Sequence, residues 1–257
     1  MKEGSIQLWF AYPQDLLADG AQKDCASILT DEERQRMERF RFDRHRRESL
    51  ATRALARTAL SHCHPIPPDA WTFVSNAHGK PAIEPDFGLR FNLSNSLELV
   101  VCLIARGAEV GVDVEPYSRA VKIMEVAREV FSPQELAQLD ALAGQKQLDR
   151  AVRLWTLKEA YIKARGLGMS IPFKNFSFLF DGSQGIELVL SHELDVANDP
   201  NRWRFCLFDH AGHSIALMVE TSATPVLQIW EVRPPVAPPT QLPASQPIWF
   251  PRLERDT

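Results

Sequence analysis

The 257-residue sequence lacks the features that define several classes of protein. It contains no stretch of about 18 uncharged apolar residues, and its first residues lack the apolar segment of a secretory signal. We therefore expect a cytoplasmic protein that does not associate with a membrane. Only four cysteines are present, with no CxxC pair, which favours reduced thiols over a disulfide framework or a zinc ribbon. The net charge of -4 argues against a general nucleic-acid binder.

Helical patterns are present in both halves of the sequence. Capping boxes that begin at Thr30 and Ser132 predict two helix starts, because each places a glutamate three residues after a hydroxyl side chain. Longer helical patterns cover about 45–61, 119–130 and 149–165. Strand patterns lie between these helices, so the sequence predicts a mixture of helices and strands.

Short runs of β-branched and aromatic residues, flanked by turn residues, predict the strands. These runs lie at 71–74, 91–94, 99–105, 110–115, 176–180, 186–190, 203–208 and 214–219. The third and fourth runs are separated by a short turn, which indicates a buried antiparallel pair.

This order of elements predicts an α+β fold with two similar halves. The first half would comprise residues 1–106 and the second residues 107–233. From Pro234 onward the chain has seven prolines in 24 residues, which excludes a central strand or a long helix there. We expect residues 234–257 to form an extended or disordered tail.

Two acidic residues, Asp113 and Glu115, alternate with valines in the run at 110–115. The two-residue period of a strand places both carboxylates on one face. Hard oxygen ligands of this kind suit Mg²⁺, which also binds water and phosphate oxygens. The same pattern is compatible with an exposed strand edge that carries alternating charge.

The predicted helix at 149–165 places Trp155, Glu159 and Lys163 on one face, because they are spaced by four residues. Glu159 could supply a third carboxylate, and Lys163 could supply positive charge to a phosphate. Alternatively, Glu159 and Lys163 form a surface ion pair worth about 0.3 to 0.5 kcal/mol.

Basic residues are concentrated near the start of the chain, where nine arginines lie between Arg34 and Arg57. Acidic residues are interleaved with them, so most are expected to lie on solvated helix faces. A few could converge on an anion. Lys80, in the turn Gly79-Lys80-Pro81, could also do so, because turn amides and a cation together suit phosphate.

Taken in order, several of these segments resemble the Sfp-type 4′-phosphopantetheinyl transferases. The segments are Gly79-Lys80-Pro81, Phe91-Asn-Leu-Ser94, Val110-Gly-Val-Asp-Val-Glu115, Phe131-Ser132 with Glu135, and Leu154-Trp-Thr-Leu-Lys-Glu-Ala-Tyr-Ile-Lys163. The match runs from about Leu29 to Phe178, and the ordered set is far more specific than any one segment. The resemblance implies two pseudo-symmetric α+β halves with coenzyme A in the cleft between them, in a protein that acts as a monomer.

The resemblance also implies an activity, which is the Mg²⁺-dependent transfer of 4′-phosphopantetheine from coenzyme A to a serine of an apo acyl or peptidyl carrier protein, with release of 3′,5′-ADP. By that resemblance Asp113, Glu115 and Glu159 would bind Mg²⁺ on the coenzyme A pyrophosphate. Lys163 would contact the phosphate. A carboxylate, Glu159 or Glu135 through water, would take the serine proton. Glu135 could instead only cap its helix.

The 3′-phosphate of coenzyme A would be held by Lys80, by the region around Ser94, and by Arg36 on the first helix. Here the sequence departs from the family pattern, because Asn95 stands where family members commonly have histidine and Leu97 stands where they have glycine. A non-catalytic module of the same fold that binds coenzyme A or a carrier protein is the alternative function. The sequence does not indicate which carrier protein is the acceptor.

Overall fold

The computed structural model describes residues 4–18, 20–182, 185–191, 199–233, 239–243 and 247–251. The chain divides into two compact units. The first comprises Met1–Ala77, Pro81–Gly107 and Val226–Gln246, and the second comprises His78–Lys80, Ala108–Pro225 and Pro247–Thr257. Among the described helices, none is both long enough and apolar enough to cross a membrane.

Groups of helices and groups of strands follow one another along the described chain. The strands are β1 (Ser5–Ala11), β2 (Thr72–Ser75), β3 (Pro81–Glu84), β4 (Leu89–Asn95), β5 (Val100–Arg106), β6 (Val110–Pro116), β7 (Phe176–Phe180), β8 (Ile186–Leu190), β9 (Trp203–His210), β10 (His213–Glu220), β11 (Val226–Glu231) and β12 (Thr240–Leu242). The helices are α1 (Pro13–Leu16), α2 (Ala21–Ser27), α3 (Asp31–Glu38), α4 (Asp43–Cys63), α5 (Ala120–Glu125), α6 (Ala127–Val130), α7 (Pro133–Asp140) and α8 (Gln145–Arg165). The α+β class predicted from the sequence is confirmed.

The first unit is built on a five-stranded sheet with the order β12-β11-β1-β5-β4. Strand β1 lies at its centre, parallel to β11 and antiparallel to β5. Helix α4 packs on the sheet through an apolar stripe that includes Leu50, Ala54 and Leu60, all buried. The apolar period of α4 therefore supplies the core of this unit.

The second unit is built on an antiparallel sheet with the order β6-β10-β9. The 21-residue helix α8 packs against β6 and β10. Its buried face includes Leu157, Tyr161 and Ala164. A separate hairpin of β7 and β8 packs against α7 and α8, and it completes the core with Phe176 and Phe178.

Both predicted capping boxes are present. Thr30 accepts a hydrogen bond from the amide of Glu33, and Ser132 accepts one from the amide of Glu135, with the reciprocal bonds also formed. The helix predicted at 119–130 is instead two short helices, α5 and α6, which are separated at Val126.

The predicted antiparallel pair of the runs at 99–105 and 110–115 is wrong. Strand β5 pairs with β1 and β4, whereas β6 pairs with β10. The chain passes from the first unit to the second at Gly107, so the short link between β5 and β6 is not a hairpin turn. Partners that are distant in sequence compete with a local hairpin, and the local pattern contains no information about them.

The structure also differs from the predicted boundaries near the end of the chain. Strand β11 begins at Val226 and belongs to the first unit, whereas the sequence predicted a second half that extends to residue 233. Within the predicted tail, β12 pairs with β11 at the edge of the sheet, which is compatible with the prolines around it. Phe250 is buried and pairs with Phe205. The other tail residues, 234–238, 244–246 and 252–257, lie outside the described part of the chain.

Candidate functional site

The candidate site lies where strand β6 faces helix α8. Alternation along β6 directs Gly111, Asp113 and Glu115 to one side of the strand. At Gly111 the two elements are in close contact, because a Cβ atom there would lie 2.1 Å from the carbonyl oxygen of Ala160. The glycine therefore permits a backbone approach that any other residue would prevent.

Both carboxylates of β6 meet side chains from the predicted face of α8. Lys163 Nζ donates to Asp113 Oδ1 at 2.7 Å. Trp155 Nε1 donates to Glu115 Oε1 at 3.1 Å. The strand period and the helix period thus bring these four side chains together, as the sequence pattern predicts for one face of each element.

The turn that follows β6 brings a second cation to the site, and this cation binds Glu115. Arg119 ends the 3-10 turn Tyr117–Arg119, and its Nη1 atom donates to both carboxylate oxygens of Glu115, at 2.5 and 2.7 Å. The Arg119 side chain is 46% exposed, whereas that of Glu115 is 9% exposed. The buried carboxylate is therefore paired with a cation that is nearly half exposed.

Two carboxyl groups of the site, those of Glu115 and Glu159, have a raised pKa. Burial, and then the negative charge of Asp113, raises the pKa of Glu115 to about 7, although Arg119 opposes the shift. Burial and the charge of Asp113 also raise the pKa of Glu159, against the effects of Lys163 and Arg119. A bound cation would stabilise the ionised form of both glutamates, which burial and the charge of Asp113 disfavour.

Asp113, Glu115 and Glu159 carry carboxylate oxygens, the donors that a hard divalent cation prefers, and the charge of Asp113 acts on both glutamates. Within the described residues, however, no three acidic, histidine or cysteine side chains form a ready-made metal cluster. Asp113 is bound by Lys163 and Glu115 by Arg119. A metal ion would have to displace at least part of this neutralising charge.

Glu135 is in a different environment, and the structure contradicts its predicted role as a base. It is 0% exposed, as is its ion-pair partner Lys158, at 2.9 Å. Its Oε2 atom also accepts a hydrogen bond from the backbone amide of Ser132, and its Oε1 atom accepts one from the backbone amide of Phe178, each at 2.8 Å. A fully buried carboxylate with both oxygens engaged cannot reach a substrate hydroxyl, so the alternative prediction of a capping role is the one that fits.

The Lys158 ammonium is equally enclosed. It donates to the carbonyl oxygens of Phe173 and Phe176 at 2.7 and 2.5 Å, in addition to Glu135, so its three donors are all used. Burial lowers the pKa of Lys158 to about 8, although Glu135 opposes the shift. This pair joins α7, α8 and the start of β7.

Lys80 also has partners within the second unit. Its Nζ atom donates to Glu109 Oε2 at 2.6 Å and to the carbonyl oxygen of Ala164 at 2.7 Å. The side chain is 13% exposed. The predicted contact with a 3′-phosphate would therefore have to compete with a carboxylate and a helix carbonyl.

The other residues predicted for the 3′-phosphate belong to the first unit. Ser94 is buried on β4, and the exposed Asn95 donates from Nδ2 to Glu48 Oε1 at 2.7 Å. Arg36 is exposed on α3. The pKa of Arg53 is lowered mainly by burial, and the charge of Arg36 adds to this effect. A carboxylate beside Asn95 is unfavourable for an anion, so the amide is less available to phosphate than the sequence predicts.

The sequence interpretation missed three residues that shape the site: Gly111, Arg119 and Lys158. An isolated glycine inside a strand is a signal of close backbone approach, so Gly111 could have been recognised. The four-residue spacing of Glu115 and Arg119 predicts a contact only within a helix, and Glu115 lies on a strand. Lys158 was part of the motif, but its burial could not be read from its position.

A cavity of about 550 Å³ lies elsewhere in the second unit, around the β7 and β8 hairpin. Its lining includes Phe180, Ile186, Leu188 and Phe250. None of the predicted site residues lines it. The cavity is therefore separate from the carboxylate site.

Two family models match the chain on either side of the passage between the units. Residues 20–106 match a model described as 4′-phosphopantetheinyl transferase, N-terminal, and residues 109–218 match one described as the 4′-phosphopantetheinyl transferase superfamily. The second match contains the whole of β6 and α8. These matches define a class of transferase.

Individual relatives extend this result. The chain is 30% identical to the 4′-phosphopantetheinyl transferase Sfp of Bacillus subtilis over 189 residues, which is 73% of this chain and 83% of the relative. It is 32% identical to a phosphopantetheinyl transferase of a Thraustochytrium species over 76% of this chain and 71% of that one. The chain therefore belongs to the 4′-phosphopantetheinyl transferase family and is of the Sfp type.

Among solved structures, a holo-(acyl-carrier-protein) synthase from Bacillus anthracis in complex with coenzyme A is similar to part of this chain. The similarity covers 45% of this chain and 96% of that one, with a TM-score of 0.37 and 20% identity.

Proposed function

We propose that this protein transfers 4′-phosphopantetheine from coenzyme A to a serine of an acyl or peptidyl carrier protein and releases 3′,5′-ADP. The observation that carries the proposal is the placement of Asp113 and Glu115 on β6 against Trp155 and Lys163 on α8. Carboxylates and a lysine at one place are the groups needed to hold a metal-bound pyrophosphate. The family membership of the chain supports the same reaction.

We assign the Mg²⁺ ligands to Asp113, Glu115 and Glu159. When bound, the ion would place positive charge on the coenzyme A pyrophosphate and so stabilise the charge that grows on the leaving group. For the 3′-phosphate, which was predicted to bind Lys80, Arg36 and the region around Ser94, we propose Arg36 and the region of Ser94 and Asn95. Lys80 is left out because it is bound by Glu109 and the Ala164 carbonyl.

The remaining roles fall to side chains on α8. The carrier serine would attack the β-phosphate of coenzyme A, and 3′,5′-ADP would leave. Lys163, which is 28% exposed, would turn from Asp113 to the phosphate oxygens and neutralise them. Glu159 would accept the serine proton, because Glu135 is enclosed and both of its carboxylate oxygens are engaged.

The test is incubation of the protein with coenzyme A, an apo carrier protein and Mg²⁺, followed by intact-mass measurement of the carrier. We expect the carrier to gain one phosphopantetheine, and we expect EDTA to prevent the gain. Asp113→Ala should slow transfer by at least about a hundredfold, because it removes a ligand whose cation contributes several kcal/mol to the transition state.

Glu187→Ala is the matched control, because Glu187 is an exposed acid on β8, outside the site. It should transfer at the wild-type rate. If the wild-type protein binds coenzyme A but leaves every carrier unmodified, the chain is instead a non-catalytic binding module. Near-normal transfer by Asp113→Ala would remove that residue from the metal site.

A further inference from the structure

Lys80 occupies an unusual place in the chain. The residues before and after the segment His78–Lys80 belong to the first unit, whereas this segment belongs to the second. Gly79 directs the excursion, because its φ of +86° lies in the left-handed region that favours glycine. The turn thus delivers one lysine side chain to the elements that carry the carboxylate site.

The first partner of Lys80 is the end of α8. The last four carbonyl groups of a helix have no partner within it, and they form the negative end of the helix dipole. Lys80 Nζ donates to one of them, the Ala164 carbonyl, at 2.7 Å. Ala164 directly follows Lys163, so the ammonium fixes the helix at the residue next to a proposed catalytic group.

The second partner of Lys80 is the start of β6. Lys80 Nζ lies 2.6 Å from Glu109 Oε2, and Glu109 directly precedes the strand. The carbonyl oxygen of Glu109 in turn accepts the amide of Glu220, the last residue of β10. The same ammonium therefore holds both the strand with Asp113 and Glu115 and the helix with Glu159 and Lys163.

Strand β6 and the C-terminal end of α8 are in close backbone contact. A Cβ atom on Gly111 would lie 2.5 Å from the backbone nitrogen of Ala164, the residue that Lys80 binds. Interiors packed this closely move between discrete arrangements and do not deform smoothly. Loss of the lysine would let the helix end shift, and the shift would change the position of Lys163 relative to Asp113.

We propose that Lys80 is a positioning residue that joins the end of α8 to the start of β6, and that it is not a ligand of the 3′-phosphate. The inference rests on the proposed transferase function, since its effect is measured on that reaction. An ammonium that is 13% exposed and already bound by a carboxylate and a carbonyl has little capacity left for a phosphate. Discrimination for the 3′-phosphate must then come from other residues.

The experiment compares two donors, coenzyme A and 3′-dephospho-coenzyme A, in wild type and in Lys80→Met. We expect kcat to fall about tenfold with both donors, because a small misplacement of catalytic groups is costly. The ratio of the two KM values should stay within about twofold of the wild-type ratio. Lys80→Arg should recover most of the rate, since it retains the charge and the donors.

The opposite result would be a rise in KM of about tenfold for coenzyme A alone, with kcat unchanged, and it would make Lys80 a phosphate ligand. Lys146→Met is the matched control, because it removes an exposed lysine from the other end of α8. If Lys80→Met does not fold, Glu109→Gln takes its place, and it should lower kcat for both donors in the same proportion.

Amide hydrogen exchange separates this inference from the proposed function. Lys80→Met should lose protection in the last turn of α8, from Lys163 to Gly166, whether or not the protein transfers phosphopantetheine. If wild type modifies no carrier but this loss is seen, the proposed function fails and the positioning contact stands. If exchange in that turn is unchanged, the positioning role is wrong.

Discussion

Two acid–base pairs contact helix α8, and they differ in how far water reaches them. Glu135 and Lys158 are both 0% exposed, and every donor of the ammonium is used within the protein. In the other pair, Asp113 is 5% exposed but Lys163 is 28% exposed. Lys158 and Lys163 are five residues apart on one helix, so the same element presents one closed pair and one open pair.

The difference separates structural charge from chemical charge. A buried ion pair without access to solvent cannot exchange partners during a reaction, and it serves to fix the elements that it joins. A buried carboxylate with an exposed cation can exchange that cation for a metal ion or a phosphate at low cost. Glu115 and Arg119 follow the open pattern as well, with 9% and 46% exposure.

The largest expected effect comes from breaking the closed pair. Lys158→Met leaves the Glu135 carboxylate buried without its counterion, which typically costs about 3 to 5 kcal/mol. We expect the free energy of unfolding, measured by urea titration, to fall by that amount. Lys146→Met removes an exposed lysine from the same helix and should change it by less than about 0.5 kcal/mol.

The double variant Glu135→Leu with Lys158→Met sharpens the test. If the pair is structural, removal of both charges should restore much of the lost stability, because an apolar pair no longer leaves a charge uncompensated. A single variant Lys158→Met that is as stable as wild type would show that water or another cation reaches Glu135, and the distinction between closed and open pairs would be lost.

A smaller effect is expected from the pH dependence of the open site. The pKa of Glu115 is raised to about 7 from an ordinary value of 4.5, mainly by burial. Between these pH values the folded protein retains a proton that the unfolded chain has lost. Stability of the metal-free protein should therefore fall by about 1 to 3 kcal/mol as the pH rises through this window.

Urea unfolding at pH 5 and pH 7.5, in wild type and in Glu115→Gln, measures this effect. The glutamine has no proton to lose, so its stability should depend less steeply on pH, and the contributions of other groups cancel in the comparison. Added Mg²⁺ should also reduce the wild-type slope, since a bound cation favours the ionised carboxylate. Parallel curves for the two proteins would mean that Glu115 ionises normally.

Local patterns in the sequence were sufficient to predict most helices and strands. Capping boxes at Thr30 and Ser132, and the four-residue spacing on α8, act within one turn of helix, and they appear in the structure. Strand pairing was less predictable. The partner of β6 is β10, about a hundred residues later, and no local pattern encodes that choice.

In the candidate site, too, features set by local patterns were predicted and features set by long-range packing were not. The strand period placed Asp113 and Glu115 on one face, and the motif placed Lys163 opposite them. The burial of Glu135 could not be predicted, because a capping glutamate reads the same whether it is exposed or enclosed by Lys158 and the amide of Phe178. Burial depends on what packs over a residue, and that is a property of the complete fold.

The smallest expected effect concerns the coupling between Arg119 and Glu115. One guanidinium nitrogen serves both carboxylate oxygens, and the arginine side chain is 46% exposed, so solvent screens the pair. A double-mutant cycle of Arg119→Gln and Glu115→Gln should give a coupling energy below about 1 kcal/mol in unfolding experiments. Added Mg²⁺ should reduce it further, because the ion would replace the arginine as the counterion.

Ionic strength distinguishes the open pair from the closed pair in the same measurement. Salt screens exposed charges more than buried ones. Raising the NaCl concentration from about 0.1 M to about 0.5 M should therefore lower the Arg119–Glu115 coupling energy. The coupling energy of the buried Lys158–Glu135 pair should stay unchanged. If the Arg119 coupling were about 3 kcal/mol and insensitive to salt, the arginine would be a fixed structural partner. Glu115 would then be closed to a metal ion, and the assignment of the site would have to rest on Asp113 and Glu159 alone.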